Sequence, residues 1–278
     1  MKDNNIRDSI LKNAGDWENR SDQENYQINI SWLQNHILRF DEISLQNCQW
    51  VFSHIPKTAG TSLESYLIQA FLLKDVLNIN ADEINNLPQC LYMKNKYPKF
   101  ITGYHPMQGM LYQLLKDTNV VHISMMRDPI ERVISFYNHM NTKHYHANNG
   151  SNSVLEFDDF LNQPDLSEIH NGQAKRFAGM LDTDLEISDK DIYFRAKYCI
   201  DNCFSVVGVT EFFSQFHKLI AKKCAVTFHD LPPITRLETK VQLACLQPEQ
   251  MKIIKRKNKI DIQLYQYVRS KFVNLINS

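Results

Sequence analysis

Hydrophobic residues along this chain fall into short continuous runs, and each run is followed at once by a segment with helical spacing. The run NCQWVFSHI at 47–55 predicts a strand, and the apolar positions within 62–73 recur at intervals of three and four residues. The same succession appears at 120–137 and again at 204–220. Strand-then-helix units repeated along a chain predict an α/β fold with a central, mostly parallel sheet flanked by helices.

The two ends of the chain follow different patterns. Residues 1–46 are polar and rich in Asn, with one predicted helix over 32–40, so they form a partly helical N-terminal extension in this interpretation. The main domain is then 47–278. Apolar residues at intervals of three and four over 260–275 predict a final amphipathic helix.

Ligands of parallel α/β sheets bind at the carboxyl ends of the strands, which directs attention to 53–62 and 127–135. The second of these segments contains a helix start. Asp128 can cap the helix, Pro129 suits its first turn, and Glu131 completes a capping-box-like pattern.

The first candidate motif is SHIPKTAGTSLE at 53–64, which joins a strand to a helix through a tight turn. Backbone N–H groups at a helix N-terminus, hydroxyl groups and one lysine are the donors of a phosphate-binding loop. It is not a Walker A loop, because Lys57 precedes Gly60 and the first glycine of that motif is missing. The alternative interpretation is an ordinary strand–helix turn.

The second candidate motif is MRDPIERVISFY at 126–137. Arg127 follows the strand and can bind a phosphate through two parallel hydrogen bonds, and the hydroxyl of Ser135, two turns into the helix, can add a donor. The alternative interpretation is that Arg127 pairs with a neighbouring carboxylate such as Asp128 or Glu131.

Composition narrows the possible partners and compartments. Among 278 residues, 31 Lys and Arg balance 31 Asp and Glu, and this neutral charge argues against a nucleic-acid partner. No apolar signal-peptide core and no run of roughly 18 apolar residues occurs, so we expect no membrane span. The six scattered cysteines are typical of reduced thiols in a cytoplasmic protein, and the Cys199/Cys203 pair lacks the second pair of a zinc site.

Taken together, HIPKTAGTSLE and RDPIERVISFY resemble the paired signature of the sulfotransferases that use 3′-phosphoadenosine 5′-phosphosulfate (PAPS). The pattern is most similar to the branch that contains the heparan sulfate 2-O-sulfotransferases and many bacterial relatives. Weaker similarity continues through FDDFL, NGQAKRFAG, VVGVTEFF and NKIDIQLYQYV, so that about 47–275 is covered. The resemblance implies a P-loop-like three-layer α/β domain.

The resemblance also assigns the two motifs. The first would hold the 5′-phosphosulfate of PAPS and the second its 3′-phosphate. The residues of the 5′ side would be Lys57, Thr58, Ala59, Gly60, Thr61 and Ser62. The residues of the 3′ side would be Arg127 and Ser135.

The implied reaction is in-line transfer of a sulfuryl group from PAPS to a hydroxyl of an acceptor, for which carbohydrate is the first expectation, without a metal ion. Lys57 would stabilise charge on the leaving oxygen. A histidine would act as the base, and relatives commonly carry it in a Gly-His pair between the two motifs. Here Tyr104 separates Gly103 from His105, so the candidate base His105 is displaced by one residue.

Other polar residues near these motifs have two interpretations each. His54 is expected to pack or hydrogen-bond under the turn, and Glu64, a weaker candidate for the base, to face solvent from its helix. Asn171, Gln173 and Arg176 would contact acceptor or nucleotide, or else belong to a polar surface helix.

Two further functions stay open at this point. A P-loop-type kinase would require a lysine after the glycine and an Mg²⁺ ligand, neither of which is evident in the sequence. A non-catalytic nucleotide-binding module is favoured by the displacement of His105. The lack of a membrane anchor indicates a cytoplasmic, bacterial enzyme or, as the alternative, a catalytic fragment of a longer protein. The acceptor and the oligomeric state are not predicted.

Overall fold

The computed structural model describes residues 20–43, 48–79, 97–104, 119–142, 155–164, 166–180, 187–224 and 241–278. Within them five parallel strands form one sheet in the order β2-β3-β1-β4-β5. The strands are β1 (Cys48–Ser53), β2 (Val76–Ile79), β3 (Phe100–Gly103), β4 (Asn119–Met126) and β5 (Val206–Val209). The predicted α/β fold with a parallel sheet is confirmed.

Helices flank this sheet and complete a three-layer α/β fold. They are α1 (Asp22–His36), α2 (Gly60–Ile68), α3 (Pro129–Met140), α4 (Phe157–Leu161), α5 (Gly172–Phe177), α6 (Asp189–Asn202), α7 (Phe213–Cys224), α8 (Pro248–Lys257) and α9 (Lys259–Asn277). Short 3-10 turns lie at Phe40–Glu42, Leu73–Asp75, Ser167–Ile169, Thr210–Phe212 and Leu243–Cys245. None of the helices among the described residues is both long and apolar enough to cross a lipid bilayer.

The central strands are largely apolar because both of their faces are covered. Seven of the eight residues of β4 and five of the six residues of β1 are buried. In β1 the fully buried Trp50 and Phe52 belong to the main hydrophobic core. A second apolar cluster packs α3 against α4 and α8, with Tyr137, Phe160 and Ile254 among its members. These two clusters hold the site-bearing ends of β1 and β4 in place.

The predicted N-terminal helix over 32–40 is wrong in its bounds, because α1 begins ten residues earlier and ends at His36. A capping box fixes its start: the Ser21 hydroxyl accepts from the backbone N–H of Glu24, whose carboxylate accepts from the backbone N–H of Ser21. The apolar periodicity is hidden because Asn25 and Asn29 share the buried face.

The α1 helix packs onto the edge of the same core as the sheet. Tyr26, Ile30 and Leu33 are buried within the main hydrophobic cluster, and the backbone N–H of Leu38 donates to the carbonyl of Val120 in β4 at 2.8 Å. The described part of the extension therefore covers the sheet, and the boundary at residue 46 stays a prediction.

The strand order identifies one position in the sheet as the natural ligand site. After β1 the chain passes toward β3 and β2 on one side, whereas after β4 it passes to β5 on the other. Neighbouring strands whose connections leave in opposite directions open a crevice at their carboxyl ends. Both sequence motifs follow these two strands, so the topology places them together.

Candidate active site

The first motif forms a tight loop between β1 and α2. Two non-glycine residues in this loop have left-handed backbones: Lys57 with φ 69° and Ala59 with φ 60°. Such residues cost about 1–3 kcal/mol each and persist only where the surroundings hold them. Left-handed residues alternating with right-handed or extended ones turn successive N–H groups toward one side of a loop, a geometry that binds anions. The loop leads directly into the N-terminus of α2, which adds partial positive charge.

The six predicted residues of the first motif play different parts in this loop. The hydroxyl of Thr58 donates to the carbonyl of Ile55 at 2.8 Å, and its side chain is fully buried. The hydroxyl is therefore occupied in holding the turn, and the backbone N–H is the group that Thr58 can offer to an anion. Thr61 and Ser62 lie half-buried in the first turn of α2, and Gly60 is its buried first residue.

Glycine is needed at position 60 because of the limited space and not because of the backbone, whose φ lies outside the left-handed region. A Cβ atom at this position would lie 2.0 Å from Cδ2 of His54, whose ring sits directly beneath the helix start. That ring also stacks on Tyr104, with centroids 4.5 Å apart. The expectation that His54 packs under the turn is confirmed.

Glu64 does not face solvent, so that expectation is wrong. Its side chain is only 14% exposed, with one carboxylate oxygen 3.7 Å from Nδ1 of His54. The other oxygen accepts from the side-chain amide of Asn78 in β2 at 3.0 Å. The α2 helix is thus fixed to the sheet through its polar face as well as its apolar one.

The close approach of Gly60 and His54 predicts a specific coupling. We expect Gly60→Ala to lower the free energy of unfolding by about 1–3 kcal/mol, because the added methyl group must displace the His54 ring. The double variant Gly60→Ala/His54→Ala should lose at least about 1 kcal/mol less than the sum of the single variants. Urea unfolding of the four proteins measures this, and additivity within about 0.5 kcal/mol would contradict the packing described above.

The second motif follows β4 and starts α3 as predicted. Asp128 caps the helix, accepting hydrogen bonds from two backbone N–H groups at 2.9 and 3.1 Å, and Pro129 is its first residue. One part of the prediction is wrong: Glu131 directs its carboxylate to Nε of Arg127, 3.3 Å away, and not to the backbone of the cap residue. The side chain of Arg127 is 30% exposed, so an anion can still reach it.

Ser135 lies in α3, on the same helix that Arg127 precedes. It is buried, with 6% of its surface exposed. Its assignment to the 3′-phosphate stays a prediction.

A polar cluster fastens the two strand ends to each other. Ser124 donates its hydroxyl to the backbone carbonyl of Ser53 at 2.7 Å, and the Ser53 hydroxyl lies 2.7 Å from Nε2 of His122. Nδ1 of His122 lies 2.7 Å from the carbonyl of Cys203, which only accepts hydrogen bonds. Nδ1 therefore carries the proton, and in the neutral ring Nε2 accepts from Ser53. The distance between the two motifs is thus set by buried hydrogen bonds beneath them.

Two buried charges next to the site carry no signal in the sequence. Arg132, 1% exposed, donates from Nε to the carbonyl of Pro56 in the first motif at 3.0 Å and from Nη1 to the carbonyl of Glu168 at 2.8 Å. It also forms an ion pair with the Glu168 carboxylate. Burial raises the pKa of Glu168, but the guanidinium groups of Arg132 and Arg176 outweigh it and hold that pKa below the ordinary value.

Arg176 pairs with Glu168 and does not lie on a polar surface helix, since its side chain is 14% exposed. It borders a small cavity at the carboxyl ends of β1 and β4, together with Ser53, His54, Ile55, Ser124, Phe177 and Phe204.

Asn171 and Gln173 also lie in the interior. Gln173 is fully buried, and its side-chain amide bonds both backbone groups of Arg127: Oε1 accepts from the N–H at 3.0 Å, and Nε2 donates to the carbonyl at 2.9 Å. The carboxylate of Asp261 in α9 accepts from the backbone N–H groups of Gln173 and Ala174 at 3.1 and 2.7 Å. Burial raises the pKa of Asp261. These residues support the second motif from behind, a role that sequence reasoning missed.

The predicted base His105 lies outside the described residues. The residue before it, Tyr104, follows β3 and stacks on His54 beside the first motif. The role of His105 stays a prediction.

Comparison with known proteins identifies the family. The sequence model of the sulfotransferase family matches residues 43–268, well over half of the chain and all of both motifs. The chain belongs to the sulfotransferase family. Its reaction class is therefore sulfuryl transfer to an acceptor. A comparison with curated proteins finds no match.

Proposed function

We propose that this sulfotransferase moves a sulfuryl group from PAPS to a hydroxyl group of a carbohydrate, in the manner of the branch that contains the heparan sulfate 2-O-sulfotransferases. The observation that carries the proposal is the loop that contains Lys57 and Ala59. This loop follows β1 and precedes α2, and β1 is the neighbour of β4, which Arg127 follows. Two separate anion sites on neighbouring strand ends fit a nucleotide that carries one anionic group on each side of its ribose.

The residues present fit both anionic groups of this donor. On the 5′ side, Lys57, the loop N–H groups and the first turn of α2 with Thr61 and Ser62 supply positive charge and donors. On the 3′ side, Arg127 is accessible and can exchange its surface contact with Glu131 for a phosphate. The proposal assigns no metal ion to this site.

The chemistry divides among a few groups. When bound, PAPS supplies the sulfuryl group and leaves as adenosine 3′,5′-bisphosphate. Lys57 stabilises the negative charge that grows on the bridging oxygen as its bond to sulfur breaks. His105 accepts the proton of the acceptor hydroxyl as the new bond between oxygen and sulfur forms.

Transfer of a radiolabelled sulfuryl group tests this proposal. We would offer labelled PAPS with polysaccharides, a tyrosyl peptide and a simple phenol, and in parallel ATP labelled at its γ-phosphate with Mg²⁺. Label on a polysaccharide hydroxyl is the expected result. Label on the peptide or the phenol would overturn the carbohydrate assignment, and transfer of the ATP label would support the kinase alternative.

The assignment of His105 as the base is tested in the same assay with a variant of that residue. We expect His105→Ala to lower the transfer rate by about 10²–10⁴-fold while adenosine 3′,5′-bisphosphate binding persists. An unchanged rate would show that another residue takes the proton.

The pair of Arg127 and Glu131 leads to a prediction about donor affinity. We expect Glu131→Gln to tighten binding of adenosine 3′,5′-bisphosphate by about threefold, because it removes a competing surface carboxylate whose interaction is worth up to about 1 kcal/mol. Glu249→Gln, in an exposed ion pair with Lys252, is the matched control and should leave the affinity unchanged. Weaker binding by the Glu131 variant in calorimetric titration would place the 3′-phosphate elsewhere.

A further inference from the structure

We infer that the segment 168–174 is a positioning element that fixes the two anion sites relative to each other, and that Gln173 within it determines recognition of the 3′-phosphate. This inference rests on the proposed use of a 3′-phosphorylated nucleotide. In this inference the residues of the segment, including Asn171 and Gln173, do not contact the nucleotide themselves and act through Arg127 and through the first loop.

The first half of the argument is the contact between Gln173 and the backbone of Arg127. The amide of Gln173 accepts from the N–H and donates to the carbonyl of the same residue, at 3.0 and 2.9 Å, with its side chain fully buried. Two opposed hydrogen bonds fix both the position and the rotation of the Arg127 peptide groups, and hence the direction in which its side chain leaves the strand. A carboxylate could make only the first of these bonds, and an apolar side chain neither.

The second half is the link between Glu168 and the first loop, which passes through Arg132. Glu168 holds Arg132 through its carboxylate and its backbone carbonyl, and Nε of Arg132 donates to the carbonyl of Pro56 at 3.0 Å. Pro56 immediately precedes the left-handed Lys57. The same short segment is therefore linked to the 5′ side through Glu168 and Arg132, and to the 3′ side through Gln173.

The segment is itself held rigidly. Asp261 accepts the N–H groups at the start of α5, and the side-chain oxygen of Asn171 accepts the N–H groups of Ile260 and Asp261 at the start of α9, at 2.9 and 3.2 Å. A Cβ atom at Gly172 would lie 3.1 Å from Nη1 of Arg132, a closer contact than most Cβ atoms make, so the backbone packs tightly against the arginine. Reciprocal caps and close packing leave the segment little freedom to move.

Because the 5′ and 3′ anion sites are supported by different residues, the effects of a substitution on the two sites can be distinguished by the choice of ligand. Adenosine 3′,5′-bisphosphate occupies both anion sites, whereas adenosine 5′-monophosphate lacks the 3′-phosphate. A loss of general stability would weaken both ligands together. Misplacement of Arg127 alone would weaken only the bisphosphate.

The test is calorimetric titration of both nucleotides into the wild type, Gln173→Met and Glu168→Gln, with Gln27→Glu in an exposed position of α1 as the control. We expect Gln173→Met to weaken the bisphosphate by about tenfold or more and the monophosphate by less than about twofold. Glu168→Gln should weaken both by similar factors, and Gln27→Glu neither.

A second variant, Gln173→Glu, retains the acceptor for the Arg127 N–H and should give the same selective loss even if Gln173→Met folds poorly. Equal loss for the two nucleotides in the Gln173 variants, or no loss, would overturn the inference while the proposed function stands. Failure of the wild type to bind the bisphosphate would instead overturn the proposed function and this inference with it.

Discussion

Lys57→Ala is expected to lower the rate constant of sulfuryl transfer by about 10²–10³-fold, with a much smaller effect on the Michaelis constant for PAPS. Lys57 lies in the loop that precedes α2, where charge on the leaving oxygen develops in the proposed reaction. A donor that acts on charge present mainly in the transition state changes the rate more than the binding of the ground state.

The substitution at position 57 is well suited to this test. Alanine and lysine both carry a Cβ atom, so the strain of the left-handed backbone at φ 69° is the same in the two proteins. Lys252→Ala removes a lysine that is 78% exposed on α8 and serves as the control. A rate within about threefold of the wild type for Lys57→Ala would show that the loop charge does not act on the transition state.

Glu168→Gln is expected to lower the free energy of unfolding by about 3 kcal/mol at pH 7. The side chain of Glu168 is 13% exposed and pairs with two arginines, of which Arg132 is 1% exposed. Removing one partner of a buried ion pair leaves an uncompensated charge, which costs about 3–5 kcal/mol. Chemical unfolding of both proteins measures the difference, and a loss below about 1 kcal/mol would contradict a buried role for this pair.

The same pair of proteins gives a pH dependence with a defined sign. The pKa of Glu168 is lower in the folded protein than its ordinary value of 4.5, so its stabilising contribution is fully present above that pH and is lost as the pH falls through the folded pKa. The difference between wild type and Glu168→Gln should therefore shrink below about pH 4.5.

A buried carboxyl of the opposite kind does not disturb this comparison. Burial raises the pKa of Asp261 above its ordinary value of 3.8, so its contribution to stability is fully present below that ordinary pKa and is lost as the pH rises through the raised one. Asp261 is present in both proteins, so its own titration cancels in the difference except for the part that it shares with Glu168 through Arg132. A difference that stays constant from pH 7 to pH 3.5 would contradict the assignment to Glu168.

The fold could be predicted where burial leaves a continuous signal in the sequence. The strands β1, β4 and β5 read as apolar runs because both faces of a parallel sheet are covered, and each is followed by a helix or a turn with its own start signal. The four-residue strands β2 and β3 were not predicted, since runs this short cannot be distinguished from other apolar segments. The start of α1 was missed because buried asparagines interrupt its apolar face.

The site was predictable only in the two motifs that are proposed to contact a ligand directly. Each of the two motifs has its characteristic residue types and spacing within a dozen residues, so both can be recognised from the sequence alone. The supporting contacts join distant positions instead: Gln173 lies 46 residues from Arg127 and 88 from Asp261, and Glu168 lies 36 residues from Arg132. No local sequence pattern predicts a buried polar contact between such distant positions, so only the structure shows this network of hydrogen bonds and ion pairs.

The most direct test of the central claim is a calorimetric titration of the wild-type protein with adenosine 3′,5′-bisphosphate beside ATP with Mg²⁺, repeated on Lys57→Ala and Arg127→Ala. A charge-assisted hydrogen bond contributes about 1.5–3 kcal/mol, so each substitution should weaken the bisphosphate by about tenfold or more. Selective binding of the bisphosphate that both substitutions weaken is the predicted result. Preference for ATP with Mg²⁺, or bisphosphate binding unaffected by either substitution, would contradict the assignment of the two strand-end motifs to the PAPS site.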